Sequence, residues 1–345
     1  MAIAVGDDFS ALCGFEPPAG LAAGLEATPE LAGVVGPAEA AALVAAAPAA
    51  DADPATFKAA LKAAFTALMT APPDVYRPAV EALAARLASE AAASTSGEGA
   101  PAPATAPPGS LAAKNALALK LQAQYPGDVG VLAAYFLNFM TLADGEAIAL
   151  AANEPHAYVS GNLVECMATS DNVVRAGLTP KPRDTDTLCA SLTYATGKPE
   201  VLAGVPLQEH TAAYAPPFDE FEVVRVGLPA AGGDTLLPPS AGPAIVLVGS
   251  GSGGLAATAL PLGQGGESKL EASVAVGRGE VVFVPAGTPL RVEGGAGEAG
   301  LTLWVAQVSA RVLGETLVVP AVPAVADAPA TPAVEAAEVA EAASV

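Results

Sequence analysis

Basic residues are scarce in this sequence of 345 residues. It has 15 Lys and Arg against 36 Asp and Glu, which gives a formal net charge of -21 at neutral pH and a sequence pI near 4.3. So acidic a protein repels phosphodiester chains and anionic membrane surfaces, and we expect neither nucleic acid nor a membrane as a partner. The net charge does not exclude a small anionic substrate, because binding one needs only a local basic cluster.

Long apolar runs are missing as well. The longest, Ala40–Ala47, is far below the ~18 residues that cross a bilayer. The N-terminal MAIAVGDDFS has no basic flank and only a short apolar run, unlike a secretory signal. The three cysteines are an odd number without a Cys-x-x-Cys pair, and we interpret them as reduced thiols. These features predict a soluble, cytoplasmic protein, and a monomer is expected.

Histidine is rare, with only His156 and His210 in the chain. Two histidines exclude a three-histidine metal site. A catalytic zinc normally takes three or four protein ligands, so carboxylates or amides would have to complete any zinc site here. His210 lies in the proline-rich stretch QEHTAAYAPP and is the weaker candidate ligand.

The length allows at least two domains, and the apolar pattern changes character along the chain. Up to about residue 125, apolar residues recur at helical spacing in two stripes. The stripes are Phe57, Leu61, Phe65 and Leu68, and then Val80, Leu83, Ala84 and Leu87. The run 91–110 has nothing large and apolar to bury and is predicted to be a flexible loop within this helical domain. The stretch 320–345 is predicted to be a disordered acidic tail.

From about Val131 onwards, short segments rich in Val, Ile, Phe and Tyr alternate with Gly and Pro. This is an all-β pattern. The segments are AAYFLNFMT, EVVRV, AIVLV, EVVFV and LTLWVAQV.

The β part contains an internal echo. Gly145-Glu146 and Gly279-Glu280 each begin a short strand, and ten residues later the sequence reaches Pro155 or Pro289. This order of Gly-Glu, strand, proline turn and strand is typical of the second half of a cupin-type jelly-roll barrel, so two barrels are expected.

The two copies differ at the residue after the proline, which is His156 in the first and Leu290 in the second. In a cupin barrel this position points inward, where an imidazole can meet a metal and a leucine cannot. The first barrel is therefore the candidate metal site. Spacing alone does not decide whether His156 binds a metal or is a hydrogen-bonded histidine in a turn.

Three further residues near His156 are candidates for a site. Glu165 follows on what should be the next strand, and it either faces the same cavity or is solvated. Arg175 and Lys181 form a basic cluster with Arg183, which could stabilise a phosphate or a developing oxyanion. The alternative is a surface cluster paired with Asp171 and Asp184, which composition alone favours.

The phrase NEPHAYVSGNLVECMATSDNVVRAGLTPK resembles the signature of type I phosphomannose isomerases nearly residue for residue. LCGF at 12–15, YPGDVG at 125–130 and YFLNFMTL at 135–142 are similar to further landmarks of that family. The resemblance implies a mainly β protein with cupin-type jelly-roll barrels, one incomplete at its N-terminus, and a helical insertion. It assigns 1–15 and 126–222 to the catalytic cupin domain, 16–125 to the helical domain and 223–319 to a C-terminal cupin-like domain.

The resemblance also implies an activity and a set of site residues. The family interconverts mannose 6-phosphate and fructose 6-phosphate with one zinc ion. His156 would be a zinc ligand and Arg175 a catalytic residue, while Tyr158, Glu165 and Lys181 would line the pocket. A proton moves between C1 and C2 through an enediolate, whose negative charge a metal and a nearby cation stabilise.

The sequence departs from the family at its start, because the family's other zinc ligands lie upstream of the segment that matches MAIAV. We therefore expect an N-terminally truncated member with an incomplete zinc site and weak or no activity alone. The alternative is a non-catalytic cupin that binds or supports a partner. A non-haem iron dioxygenase is a poor third hypothesis, because the chain lacks a His-x-His pair.

Overall fold

A computed structural model describes residues 1–95, 106–170, 173–258, 270–295 and 300–314. The described residues form eight α-helices and fifteen β-strands. The helices are α1 (Pro18–Ala27), α2 (Pro29–Val35), α3 (Pro37–Ala46), α4 (Pro54–Thr70), α5 (Pro73–Thr95), α6 (Leu111–Gln124), α7 (Gly130–Ala133) and α8 (Thr185–Ser191). The predicted tail 320–345 lies outside the described residues.

The first eight strands run from the N-terminus to residue 228. They are β1 (Ala2–Phe15), β2 (Leu137–Leu142), β3 (Glu146–Ile148), β4 (His156–Glu165), β5 (Val201–Ala203), β6 (Val205–Gln208), β7 (Thr211–Tyr214) and β8 (Glu222–Leu228). The remaining strands are β9 (Gly233–Leu237), β10 (Ala244–Ser250), β11 (Ser252–Thr258), β12 (Leu270–Gly277), β13 (Val281–Val284), β14 (Leu290–Gly294) and β15 (Leu301–Gln307).

The predicted helical stripes are confirmed in α4 and α5. Phe57, Leu61, Phe65 and Leu68 are all buried on one side of α4. Their 3–4-residue spacing places them on one face, which packs against the other helices and against β1 in a single core. Helix α4 begins after Asp53, whose carboxylate accepts a hydrogen bond from Thr56 N at 3.1 Å.

Five residues of the predicted loop 91–110 belong to a helix in the structure. Residues 91–95 continue α5, because a run of alanines gives the helix no reason to end there. Ser110 then caps α6 by accepting a hydrogen bond from Ala113 N at 3.2 Å. Residues 96–105 lie outside the described part of the chain.

The first sheet has the order β2-β1-β3-β5, and β4 pairs with the other edge of β1. One edge of β1 is shared, because β2 pairs with Phe9–Phe15 and β3 pairs with Ala2 and Ile3. Strand β4 runs antiparallel along the opposite edge, from the pair Ala2↔Glu165 to the pair Cys13↔His156. All these pairs are antiparallel, as the cupin interpretation predicts.

The second and third sheets make up the second barrel and enclose an apolar core of their own. Their orders are β13-β10-β15-β8-β7-β6 and β12-β11-β14-β9, with every pair antiparallel. Strands β6 and β7 also belong to the second sheet, because β6 pairs with β7 and β7 pairs with β8. His210 correspondingly lies in the tight turn between β6 and β7, at a φ of 68°, and not in a proline-rich connection.

The internal echo corresponds to equivalent strands in the two β units. Gly145 and Gly279 both have positive φ, 81° and 87°, and precede β3 and β13. Strands β4 and β14 begin directly after Pro155 and Pro289. The segment AAYFLNFMT was predicted to be a strand, but its beginning is helical. Residues 130–136 form helical turns, and β2 begins after them.

Among the described helices, none is long and apolar enough by itself to cross a membrane. The bent pair Pro29–Val35 and Pro37–Ala49, which turns by 108°, passes the same test by length and composition.

A buried ion pair joins the helical region to β1. Lys114 Nζ lies 2.7 Å from Glu16 Oε1, and the two side chains are only 5% and 9% exposed. Lys114 Nζ also donates to the carbonyl oxygen of Tyr135 at 3.1 Å. Burial lowers the pKa of Lys114, and the Glu16 carboxylate opposes that shift. The end of β1, helix α6 and the turn before β2 are therefore fixed at one point.

We predict that Lys114→Met lowers the free energy of unfolding by about 3 kcal/mol or more, because it leaves the Glu16 charge buried without its partner. Urea unfolding measures the change. Arg291→Met is the matched control, since the Arg291–Asp234 pair is 47% and 58% exposed and should contribute below about 1 kcal/mol. Equal losses in the two variants would contradict the prediction.

Candidate functional site

His156 is the first residue of β4 and lies opposite Cys13 of β1. Its Nδ1 is 2.9 Å from the carbonyl oxygen of Glu154. A carbonyl can only accept, so this contact requires a proton on Nδ1. In the neutral ring Nε2 then carries the lone pair that a metal or a proton donor would use.

The position after the proline differs in burial between the two β units. Leu290 is 6% exposed inside the second barrel, whereas His156 is exposed. His156 was predicted to point into a barrel, but among the described residues its side chain is not enclosed. The apolar cluster on the same face of the sheet is built from one sheet and the segment next to it, so no second sheet covers His156. Leu290 is covered because two sheets enclose the core of the second barrel.

Tyr158 and Glu165 are brought into direct contact. The Tyr158 hydroxyl donates to Glu165 Oε1 at 2.6 Å, although the residues are seven apart on one strand. A straight strand would separate them by about 23 Å, which is beyond the reach of both side chains. Strand β4 therefore bends sharply.

The bend has a visible local cause. The β1–β4 register shifts between Val5 and Ser10 and again between Ser10 and Ala11. Gly161 sits in this region at a φ of 88°, and a Cβ there would lie 2.5 Å from Phe9 Cα. Only glycine permits this approach, and such bulges turn the strand and re-aim its side chains.

The local environment keeps Tyr158 protonated. Burial raises the pKa of Tyr158, and the hydrogen-bonded Glu165 carboxylate raises it further. The Tyr158 ring packs at 5.7 Å from Phe9, and its centroid is 6.0 Å from that of His156. His156, Tyr158 and Glu165 thus form one polar group along β4.

Arg175 and Lys181 lie in the coil that follows β4. Arg175 is half-buried and Lys181 is exposed. Within the part of the chain that the structure describes, no hydrogen bond or ion pair joins either side chain to the His156 group. Arg183 donates to the carbonyl oxygen of Ala176 at 3.3 Å, within the same coil.

The surface-cluster alternative for these cations named Asp171 and Asp184 as partners. Asp171 is outside the described residues. Asp184 caps α8, where its carboxylate accepts from Thr187 N at 2.9 Å and from the Thr187 hydroxyl at 2.7 Å. Those hydrogen bonds lower the pKa of Asp184. The carboxylate is thus committed to the helix and not to a cation.

Nearby groups do not supply a second metal ligand of the usual kind. Burial raises the pKa of Cys13 to about 12, so it is a thiol and not a thiolate at neutral pH. The Glu154 carboxylate accepts from the Thr193 hydroxyl. His210, in the second barrel, is 3.7 Å from Glu209. No group of three or more His, Cys, Asp and Glu side chains that could hold a metal occurs in the described ranges.

The donor set of these residues therefore does not by itself fit a zinc ion. A zinc site needs three or four protein ligands, and among the described residues near β4 His156 is the one side chain with a suitable nitrogen. One further residue of the region, Asp128 of YPGDVG, is not predicted from the sequence; its carboxylate contacts the Arg175 coil at Leu178 N. The motif was visible in the sequence, but its contact with a segment 50 residues away was not.

Comparison with known proteins identifies relatives for most of the chain. Residues 34–137 match the family model of the phosphomannose isomerase type I helical insertion domain. Mannose-6-phosphate isomerase 1 of Arabidopsis thaliana is 38% identical over 305 residues, covering 88% of this chain and 63% of that protein. Mannose-6-phosphate isomerase 2 of the same plant is 52% identical over 184 residues, covering 53% of this chain and 39% of that protein.

A solved structure has the same fold. The mannose 6-phosphate isomerase of Salmonella typhimurium, determined with fructose 6-phosphate and zinc bound, aligns with a TM-score of 0.61 at 23% identity. The alignment covers 89% of this chain and 65% of the bacterial one.

The two β units and the helical region between β1 and β2 define a cupin-type protein with a helical insertion. The chain is similar to type I mannose-6-phosphate isomerases over most of its length, and its residues 34–137 match their helical insertion domain. It spans 39% and 63% of the lengths of the two Arabidopsis relatives.

We predict that the purified chain holds well below one zinc ion after dialysis, because a single imidazole gives too little of the required ligation. Elemental analysis by mass spectrometry measures the stoichiometry. One tightly held zinc that is lost in His156→Ala and kept in the control His210→Ala would contradict the prediction, since it would show that other groups complete a site around His156.

Proposed function

We propose that this protein acts in the interconversion of mannose 6-phosphate and fructose 6-phosphate. The observation that carries the proposal is the 38% identity to an Arabidopsis mannose-6-phosphate isomerase across 88% of the chain. The joining of His156, Tyr158 and Glu165 on β4 supports it, because these are the residues that the family resemblance assigns to the site. The product mannose 6-phosphate would feed GDP-mannose synthesis and glycosylation.

The reaction moves a proton between C1 and C2 of the sugar phosphate through an enediolate. In the proposed site, His156 offers Nε2 as a zinc ligand, with its ring oriented by the Glu154 carbonyl. The family reaction is zinc-assisted, and the residues described in this chain supply that one ligand. Activity of the chain itself is therefore expected to be low.

The family resemblance and the charge of the other residues support a role for each of them. Arg175 would stabilise the negative charge that develops on the enediolate, because a guanidinium can hold two oxygens at once. Lys181 would attract the phosphate. Tyr158 and Glu165, already hydrogen-bonded to each other, would line the pocket and contact sugar hydroxyls.

A reducing compartment agrees with the state of the cysteines. Cys13, Cys166 and Cys189 are all free thiols. We propose a cytoplasmic location, where thiols stay reduced and sugar phosphates are the substrates at hand.

A non-catalytic cupin is the second candidate, favoured by the single suitable imidazole near β4. The two functions are separated by incubating the chain with mannose 6-phosphate and added zinc, and following fructose 6-phosphate in a coupled assay. Turnover above the blank that is lost in His156→Ala supports the isomerase. No turnover at any zinc concentration refutes it for this chain and supports the binding module.

In an enzyme whose zinc site is completed by the family's remaining ligands, we predict that Arg175→Ala lowers kcat by ~10²-fold or more and leaves KM within a few-fold, because the guanidinium would act on charge present only in the transition state. Arg175→Lys keeps the positive charge but loses the planar guanidinium group, so its kcat should fall between that of the wild type and that of Arg175→Ala.

Arg291→Ala is the control for that experiment, since Arg291 is an exposed arginine of β14 in the second barrel. A steep rise in KM with little change in kcat would assign Arg175 to phosphate binding instead. A normal rate in Arg175→Ala would remove it from the site altogether.

A further inference from the structure

The coil between β4 and α8 carries Arg175 and Lys181 but has no strand or helix of its own in its described residues. Residues 173 and 174 are exposed valines. A catalytic cation on such a segment requires something else to fix its position, because placing a group for reaction demands near-ångström accuracy.

One carboxylate from the helical region contacts this coil. Asp128 lies in the turn between α6 and α7, and its Oδ1 accepts from Leu178 N at 2.8 Å. The same oxygen accepts from Gly130 N at 2.6 Å. One carboxylate oxygen therefore ties two backbone segments together, and hydrogen bonds to a charged acceptor are the stronger kind.

The two backbones meet too closely for side chains. A Cβ on Gly177 would lie 2.8 Å from Gly130 Cα and 2.9 Å from Asp128 Oδ1. A Cβ on Gly130 would lie 2.8 Å from Leu178 N. The sequences DVG and AGL thus pack backbone against backbone, and both glycines are required by that contact.

The coil is held in a demanding conformation at the same place. Leu178 has a φ of 55°, a left-handed conformation that a leucine keeps only where its surroundings hold it. Ala176 and Leu178 also pack against the main apolar core. Arg175 immediately precedes this anchored stretch, so the anchor sets where its backbone lies.

We propose that Asp128 is a positioning residue, which fixes the coil carrying Arg175 and so places the guanidinium for the reaction. This inference rests on the proposed function for its consequence in catalysis. The anchor itself is a property of the folded chain and is measurable without substrate.

Amide hydrogen exchange tests the anchor. In Asp128→Ala, the Leu178 amide should exchange about tenfold faster or more, and peptides covering 173–184 should lose protection, because the amide has lost its acceptor. Asp53→Ala is the matched control, since Asp53 also accepts a backbone hydrogen bond, from Thr56 N, in a distant helix cap. Unchanged exchange at 173–184 would overturn the proposal.

Two further variants test the same contact if Asp128→Ala does not fold. Asp128→Asn keeps the size and one oxygen acceptor but loses the charge, so its exchange rate should fall between wild type and alanine. Gly177→Ala leaves the carboxylate in place but forces the backbones apart, and should raise exchange in the same peptides. Protection retained in both would overturn the anchor.

A double-mutant cycle tests positioning. Asp128→Ala should lower kcat roughly 10²-fold with KM within a few-fold, as expected for a displaced catalytic group. In an Arg175→Ala background the same change should have almost no further effect on kcat, because the group being positioned is already gone. A purely structural role for Asp128 predicts the full loss in both backgrounds, and that result would overturn the proposal.

Failure of the proposed function gives a different pattern. A wild-type chain without turnover under any zinc concentration refutes the isomerase assignment, while the exchange measurements still decide whether Asp128 fixes the Arg175 coil. Turnover with unchanged exchange in Asp128→Ala keeps the isomerase and rejects the anchor.

Discussion

The pairing of β1 with β4 is the interaction on which the rest of the structure depends. Strand β1 contributes to three apolar clusters at once. Leu12 and Phe15 belong to the core shared with the helices, and Ile3 belongs to the contact with the second barrel. Phe9, Cys13 and their neighbours line the face that carries the His156 group. Because β4 pairs with β1 over Ala2–Val5 and again over Ser10–Cys13, the position of every candidate site residue on β4 is set by a strand that is mostly buried.

The second barrel joins this sheet at the turn that opens the internal echo. The Tyr214 hydroxyl donates to the carbonyl oxygen of Gly145 at 2.8 Å, and Arg225 pairs with Asp144 at 2.8 Å. The Arg225 guanidinium also lies 5.3 Å from the Trp304 ring centroid, where a cation is attracted to the aromatic face. Polar contacts at the edge and an apolar cluster beneath them hold the two β units together. Strand β4 is therefore stabilised by β1 and by the second barrel.

Much of this arrangement follows from local sequence, and the parts that do not are contacts between distant segments. Helical spacing in α4 and the Gly-Glu and proline signals around β3 and β4 are local, and they predicted those elements correctly. The Tyr158–Glu165 contact depends on a bend that arises where Gly161 meets Phe9, more than 150 residues earlier in the chain, and strand periodicity alone places the two side chains far apart. The exposure of His156 likewise depends on which layers cover the sheet, which no pattern within β4 encodes.

The long separation between β1 and its partner has a consequence for how the protein is made. The hydroxyls of Ser10 and Ser160 are 2.7 Å apart in the fold but 150 residues apart in the chain. At ordinary rates of protein synthesis, roughly 8–30 s pass between the synthesis of β1 and that of β4, and the helices between them can already form in that time. An apolar strand is thus left without its ladder partner throughout that interval, and pairings of such high contact order close slowly even when both strands are present. Nascent chains of this protein should accordingly depend on holdase chaperones at Ala2–Phe15 until β4 has been synthesised.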